Sequence, residues 1–141
     1  MIASYKNKTF ATFLASTLGG AGLHRFYLRG SRDRWAWVHA ASLPLSVIGI
    51  VAGSKLGPAF SMFLIAPLIF SALAGLLEAL ILGLTPDLKW DANYNPDSNR
   101  KTESNWPLAV ILVLTLAVGM GGLIFVISRT FDLIFTGGSY G

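Results

Sequence analysis

The chain has 141 residues, a formal net charge of +4 and no cysteine, and 53% of it is apolar against 13% charged. A soluble domain carries about 25% charged residues, so this composition and a mean hydropathy of +0.59 point to a chain built for lipid. Disulfides, thiolate zinc sites and iron–sulfur ligation are excluded, and the basic residues flank apolar runs instead of forming a basic face with stacking aromatics, so nucleic acid is not an expected partner.

The charges cluster at residues 5–8, 25–34 and 87–103. The first apolar segment, 10–23, is moderately hydrophobic, and with Phe26-Tyr27-Leu28 appended it is long enough to be read as one helix over about 8–28. Ala15 and Gly19 form a small-xxx-small pair on it, which lets another helix approach closely. Lys6 and Lys8 before a modest apolar stretch have the layout of a leader. The polar–aromatic HRFYLRG that follows is a poor start for a mature chain, so the segment is read as retained. A second run, 35–54, opens on Trp35 and Trp37, the interfacial aromatics expected where a helix enters a bilayer, and carries Pro44. A third helix is expected over 58–84, with Pro67 inside it and Gly75, Ala79 and Gly83 spaced four apart as a close-packing stripe. Residues 96–105 read as a polar loop, with Trp90 and Trp106 as interfacial residues on either side. A fourth helix is expected over 106–135, with Ala117 and Gly121 as its packing pair, and 136–141 as a flexible tail.

Each long run approaches the roughly 20 residues that cross a hydrocarbon core as a helix. The fold class that follows is an all-α integral membrane protein, a compact bundle of about four transmembrane helices. If all four cross in turn, the loops after the first and third carry seven Lys and Arg against four on the other side, which places both termini outside.

Three features carry possible chemistry. The glycines of GGAGLH follow a helical segment and match no phosphate-loop spacing, so they are read as contact residues and not as a phosphate cradle. His24 and His39 are the only histidines, and as candidate haem or metal ligands they lack any supporting motif. Glu78 lies some 20 residues into an apolar run. An unpaired intramembrane carboxylate costs a few kcal/mol even on mild scales, so a partner is expected, with His24, Arg25 and His39 as candidates. A structural lock joining the first and third helices is preferred to a proton relay. Arg25, Arg29, Arg32 and Arg34 with Trp35 and Trp37 form a basic–aromatic belt suited to acidic lipid headgroups. No nucleophile–base–acid set or paired carboxylates in a cleft is visible, so no enzyme and no cofactor are expected.

Two stretches resemble the TM2 domain family of small membrane modules. KNKTFATFLASTLGGAGLHRFYL is similar to the family's lysine-headed first helix, with Gly19, Gly22, His24, Arg25, Phe26, Tyr27 and Leu28 at the matching positions. LLEALILGLTPDLKWDANYN is similar to the acid-bearing second helix of bacterial members and the tail after it, with Glu78, Trp90, Asp91, Tyr94 and Asn95 matching. The likeness covers about residues 6–95. Arg29 intervenes where the family has Leu-Gly after the tyrosine, and about 20 extra residues, the run 35–54, separate the motifs. The resemblance implies residence in the bacterial inner membrane, as a multi-pass protein, and work beside other proteins, without an established reaction. The expected function is therefore a non-enzymatic interaction or assembly module, or an accessory subunit of a larger membrane complex, with lipid, other membrane proteins or its own copies as partners. A small oligomeric channel using Glu78 and His24, and a haem- or metal-binding subunit, are the alternatives.

Overall fold

The computed structural model describes residues 5–139, and the regular structure within them is helical. Helix α1 covers Lys8–Leu18, α2 Leu23–Arg29, α3 Arg34–Leu56, α4 Pro58–Leu84, α5 Asp87–Tyr94 and α6 Trp106–Thr136, with short 3-10 turns at Gly19–Ala21 and Gly30–Arg32. Three stretches are long and apolar enough to cross a membrane: Arg34–Gly53, Phe60–Leu84 and Trp106–Thr136. Local signals mark their starts. The Asp33 side chain caps α3 by accepting from the Trp35 N–H, Pro58 opens α4, and Asn105 caps α6 with Pro107 in its first turn.

The first apolar segment is not one helix. α1 stops at Leu18, and Gly22 takes a left-handed conformation (φ 72°, ψ 14°) that turns α2 back along α1. The Asn7 N–H donates to the Tyr27 hydroxyl at 2.8 Å, and the Phe10 and Tyr27 rings meet edge to face at 5.2 Å. Twenty residues of continuous helix would hold Asn7 and Tyr27 about 30 Å apart. Glycine is required at the reversal, because left-handed backbone disfavours a Cβ and one at Gly22 would lie 2.8 Å from the Ala36 carbonyl oxygen.

The tip of this helical hairpin is set into α4, backbone against backbone. A Cβ on Gly19 would stand 2.7 Å from Gly75 Cα, and one on Gly75 would stand 2.6 Å from Gly19 Cα. Ala15 and Ala79 are buried beside this crossing. Close approach of small residues is how helices gain dispersion energy where lipid removes the hydrophobic driving force. The fully enclosed residues reflect this: Ala11, Thr12, Ala15, His24, Ala36, Ala79 and Trp90, with Trp90 the one large apolar side chain among them. Leucine, isoleucine and valine instead point outward along the three long helices.

α3 and α4 form a second hairpin through Gly57. The buried face of α3 consists of Ala36, His39, Ser42, Ser46 and Gly49, spaced three or four apart, a small-residue seam against α4. α6 leans on α4 and α1, where Leu112 meets Gly83, yet only Leu108 and Thr115 are buried within it. The expected packing pair on α6 has no neighbour within the chain: Ala117 is exposed and a Cβ on Gly121 would meet nothing within 4 Å, whereas Gly119 and Gly122 face Leu76 and Leu73. The α6 helix ends at left-handed Gly137. Tyr140 and Gly141, part of the expected tail, lie outside the described residues.

One contact bears on chain direction. Lys8 Nζ lies 2.8 Å from Asp87 Oδ1, so the start of α1 and the end of α4 share one end of the bundle. Four helices crossing in turn would place them at opposite ends.

Candidate functional site

Glu78 sits on α4, a turn and a half before its end, facing the hairpin. Arg25 Nε donates to both carboxylate oxygens, at 3.0 and 2.9 Å, and Nη2 donates to Oε1. His24 Nε2 is hydrogen-bonded to Oε2. The free arm of Arg25 reaches Asp33 at 3.3 Å, so one guanidinium ties α2 to α4 and to the cap of α3. A guanidinium fork satisfies a carboxylate in a way a point charge cannot. The left-handed Gly22 allows this arrangement, because it starts α2 with His24 and Arg25 in its first turn, facing α4. Phe26 and Tyr27 make their ring contacts elsewhere. Phe26 packs edge-on against Trp37 at 5.2 Å, and Tyr27 fastens α2 to the head of α1, with Lys6 over its ring.

Beneath the lock runs a ladder of buried hydroxyls. The hairpin turn releases the Gly20 carbonyl from helical pairing, and Ser71 Oγ donates to it at 2.7 Å. Since that hydroxyl has one proton to give, it accepts from His39 Nδ1, 2.6 Å away. Ser42 donates to the His39 carbonyl and Ser46 to the Ser42 carbonyl, at 2.6 and 2.7 Å. The His24 and His39 rings stand edge to face with centroids 6.2 Å apart. His24 is 1% exposed, and its Nδ1 is the one buried side-chain polar atom without a hydrogen bond among the described residues. No group of three or more His, Asp or Glu side chains suited to a metal ion occurs among the described residues.

The segment after α4 is a cap latched onto the hairpin. Asp87 accepts from Lys8 Nζ, from the Ser104 N–H at 2.8 Å and from the Ser104 hydroxyl at 2.7 Å. Burial pushes this carboxyl up, but the Lys8 and Ser104 hydrogen bonds outweigh it and hold its pKa below the ordinary value. Asp91 accepts from the Thr102 N–H at 2.9 Å and from its hydroxyl at 2.5 Å, and these bonds lower its pKa too. Asn95 Oδ1 takes the Lys6 N–H at 2.7 Å, and its amide returns a bond to the Lys6 carbonyl.

The expected interfacial residues divide. Trp35, Trp37 and Trp106 are exposed at 63%, 58% and 78%, but Trp90 is fully buried. Its indole N–H donates to the Lys6 carbonyl at 3.1 Å and its ring lies against Tyr94; a tryptophan whose one donor is satisfied inside the protein has no reason to face water. Arg29, Arg32 and Arg34 are exposed around Asp33. Asp33 is 5% exposed as a side chain, and Arg29 approaches it to 3.6 Å. Burial raises the Asp33 pKa, but the Trp35 N–H, Arg25 and Arg29 together bring it below the ordinary value.

Sequence reasoning passed over Asp33, Asp87, Thr102 and the serines of the ladder, and it singled out Lys8 and Asp91 without finding their partners. The serines had a signal, the 39-42-46-49 spacing along one face of α3. The latch's bonds to the start of the chain had none, since those partners are some 80 to 97 residues apart. No family model matches the chain, and no curated protein or solved structure matches it either.

Proposed function

We propose that the chain is a non-enzymatic assembly module of a bacterial inner membrane, an accessory subunit that offers α6 to another membrane helix. The observation that carries this reading is the contrast between its two parts. Residues 5–105 satisfy their buried side-chain polar groups internally, His24 Nδ1 excepted, and interlock through the hairpin, the lock and the latch. α6 lies against them along one side only, with Ala117 and Gly121 on its uncovered face. A small-xxx-small pair facing outward suits a second helix at close range. The residues behind the TM2 resemblance also fit a module of that kind, since His24, Arg25 and Glu78 are the ones that meet.

In this reading three helices span the bilayer and the α1–α2 hairpin enters and leaves on one side. That side carries Lys6, Lys8, Arg25, Arg29, Arg32, Arg34, Lys89, Arg100 and Lys101; the other has Lys55 and Arg129. Nine against two is a far stronger bias than four alternating spans give, and it puts the hairpin and the 85–105 segment in the cytoplasm. The N-terminal end is then inside, opposite to the expectation from four crossings. A pore lined by Glu78 and His24 has little support, because both are engaged within the chain and the outward faces of the long helices are apolar.

The test uses the lack of native cysteine. Ala117→Cys or Gly121→Cys, alkylated in membranes with a thiol-reactive photo-cross-linker, should link on irradiation to a copy or a partner, and Gly119→Cys, which faces Leu76, should not. Subunit counting after mild-detergent extraction then distinguishes the two products. A chain that extracts alone as a monomer, with no cross-link from 117 or 121, overturns the assembly reading.

A further inference from the structure

We propose that the chain binds one anionic phospholipid in the hairpin-side leaflet, its phosphate against Arg29, Arg32 and Arg34 and one acyl chain in the groove between α3 and α4. Two clefts meet at Trp35. The upper, about 470 Å³, is lined by Arg29, Arg32, Asp33, Arg34 and Trp35. The lower, about 290 Å³, runs down the α3–α4 seam past Val38, Ala41, Leu45 and Pro67. A cationic cleft continuous with an apolar groove has the shape of an amphiphile and of neither half alone.

The charge is available to a ligand. The Asp33 carboxylate is nearly buried and already engaged by Arg25, Arg29 and the Trp35 N–H. Arg32 and Arg34 pair with no carboxylate among the described residues. Arg34 opens α3, so the helix's N-terminal end adds to the positive field. The depth is right for a headgroup, since exposed Trp35 and Trp37 stand at the first turn of an apolar span. The cleft is also preformed. Trp37 Nε1 donates to the Ser31 carbonyl at 2.9 Å, Phe26 braces the Trp37 ring, and Asp33 caps the helix, so binding orders little new structure. The polar groups at the groove floor, His39, Ser42 and Ser71, bond to one another and to Gly20, leaving an apolar wall for a chain. A free phosphate would use the arginines alone, a neutral lipid the groove alone.

The inference rests on the membrane reading and is independent of what α6 meets. The test is native mass spectrometry of the full chain extracted in mild detergent and offered phosphatidylglycerol or phosphatidylcholine. One phosphatidylglycerol per chain is expected, and little phosphatidylcholine. Arg32→Gln with Arg34→Gln should lower occupancy by about tenfold or more, each surface arginine contributing on the order of 1 kcal/mol to an anionic headgroup. Ala41→Phe, which fills the groove and leaves the arginines in place, should lower it as well. Lys89→Gln with Lys101→Gln removes equal charge from the same side and should leave occupancy unchanged. Equal loss in the lysine pair, or no loss with Ala41→Phe, overturns the site. So does displacement by glycerol phosphate at the same concentration, which would assign the arginines to a soluble phosphate. A chain that stays monodisperse without detergent instead defeats the membrane reading.

Discussion

Glu78 shows how one side chain organises the apolar half of this molecule. Its carboxylate is 22% exposed and Arg25 is 19% exposed, too enclosed for the pair to count as a surface bridge and too open for full burial energetics. Removing one partner of a buried pair costs about 3–5 kcal/mol, and partial exposure reduces that. Glu78→Ala and Glu78→Gln should therefore each destabilise by about 2 kcal/mol, read as a lower melting temperature in detergent. Arg25→Lys should recover only part of the stability, because an ammonium cannot reach both carboxylate oxygens and Asp33 at once. Equal melting of wild type and both Glu78 variants would remove the lock from the account. Asp87 and Asp91 give a second residue-scale expectation. Both have folded pKa values below the ordinary 3.8, so the stability they lend is fully present above that value and is lost as pH falls through their lower folded values. The cap should stay closed at neutral and mildly acid pH and open only below the usual carboxylate range, followed by Trp90 emission in a variant whose other tryptophans are phenylalanine. Asp87→Asn should shift the opening to higher pH.

At the scale of the element, the hairpin depends on two glycine contacts of different kinds. Gly22→Ala puts a side chain into left-handed backbone and against Ala36, and Gly75→Val drives a branched side chain into the Gly19 backbone. Each should cost several kcal/mol, because neither neighbour is a flexible side chain that can move aside. Gly121→Val, on open space, should leave melting unchanged. The long helices were legible from hydropathy alone, and so was a partner for Glu78, because an unpaired carboxylate in an apolar run is too costly to leave. The reversal was not. A run of small residues serves a straight close-packed helix as well as a turn, and what separates the two is the φ of Gly22 alone. Trp90 misled for a related reason, since an aromatic beside a polar loop suits the interface or a lid, and the choice depends on whether a distant carbonyl, here that of Lys6, comes within reach. The exposed side of α6 was equally hidden. Its glycines at 119, 121 and 122 offer two faces, and the four-residue spacing that singles out Ala117 and Gly121 does not say which face turns inward.

For the whole molecule, the decisive relation is that α1 begins where α4 ends. Membrane-impermeant maleimide applied to intact cells should label Lys55→Cys and Ser139→Cys but reach Ser31→Cys and Ser98→Cys only after permeabilisation. Labelling of 31 and 98 from outside would invert the orientation, and labelling of Lys6→Cys from outside while 31 and 98 stay protected would restore four crossings. At 31 residues, α6 is about 46 Å long, well beyond a hydrocarbon core of about 30 Å. The Arg129–Asp132 pair near its end then falls at the far boundary, where a charge pair costs little.

The hairpin also sets an order of events during synthesis. Its contacts look forward along the chain, from Gly22 to Ala36, Gly19 to Gly75, Arg25 to Glu78, Lys8 to Asp87 and Lys6 to Asn95. Translation delivers the hairpin before α4 and the segment after it, so the hairpin must wait undocked until residue 95 has left the ribosome. His24, Arg25 and the glycine-rich tip thus have no docking place until α4 is made, and the hairpin docks last.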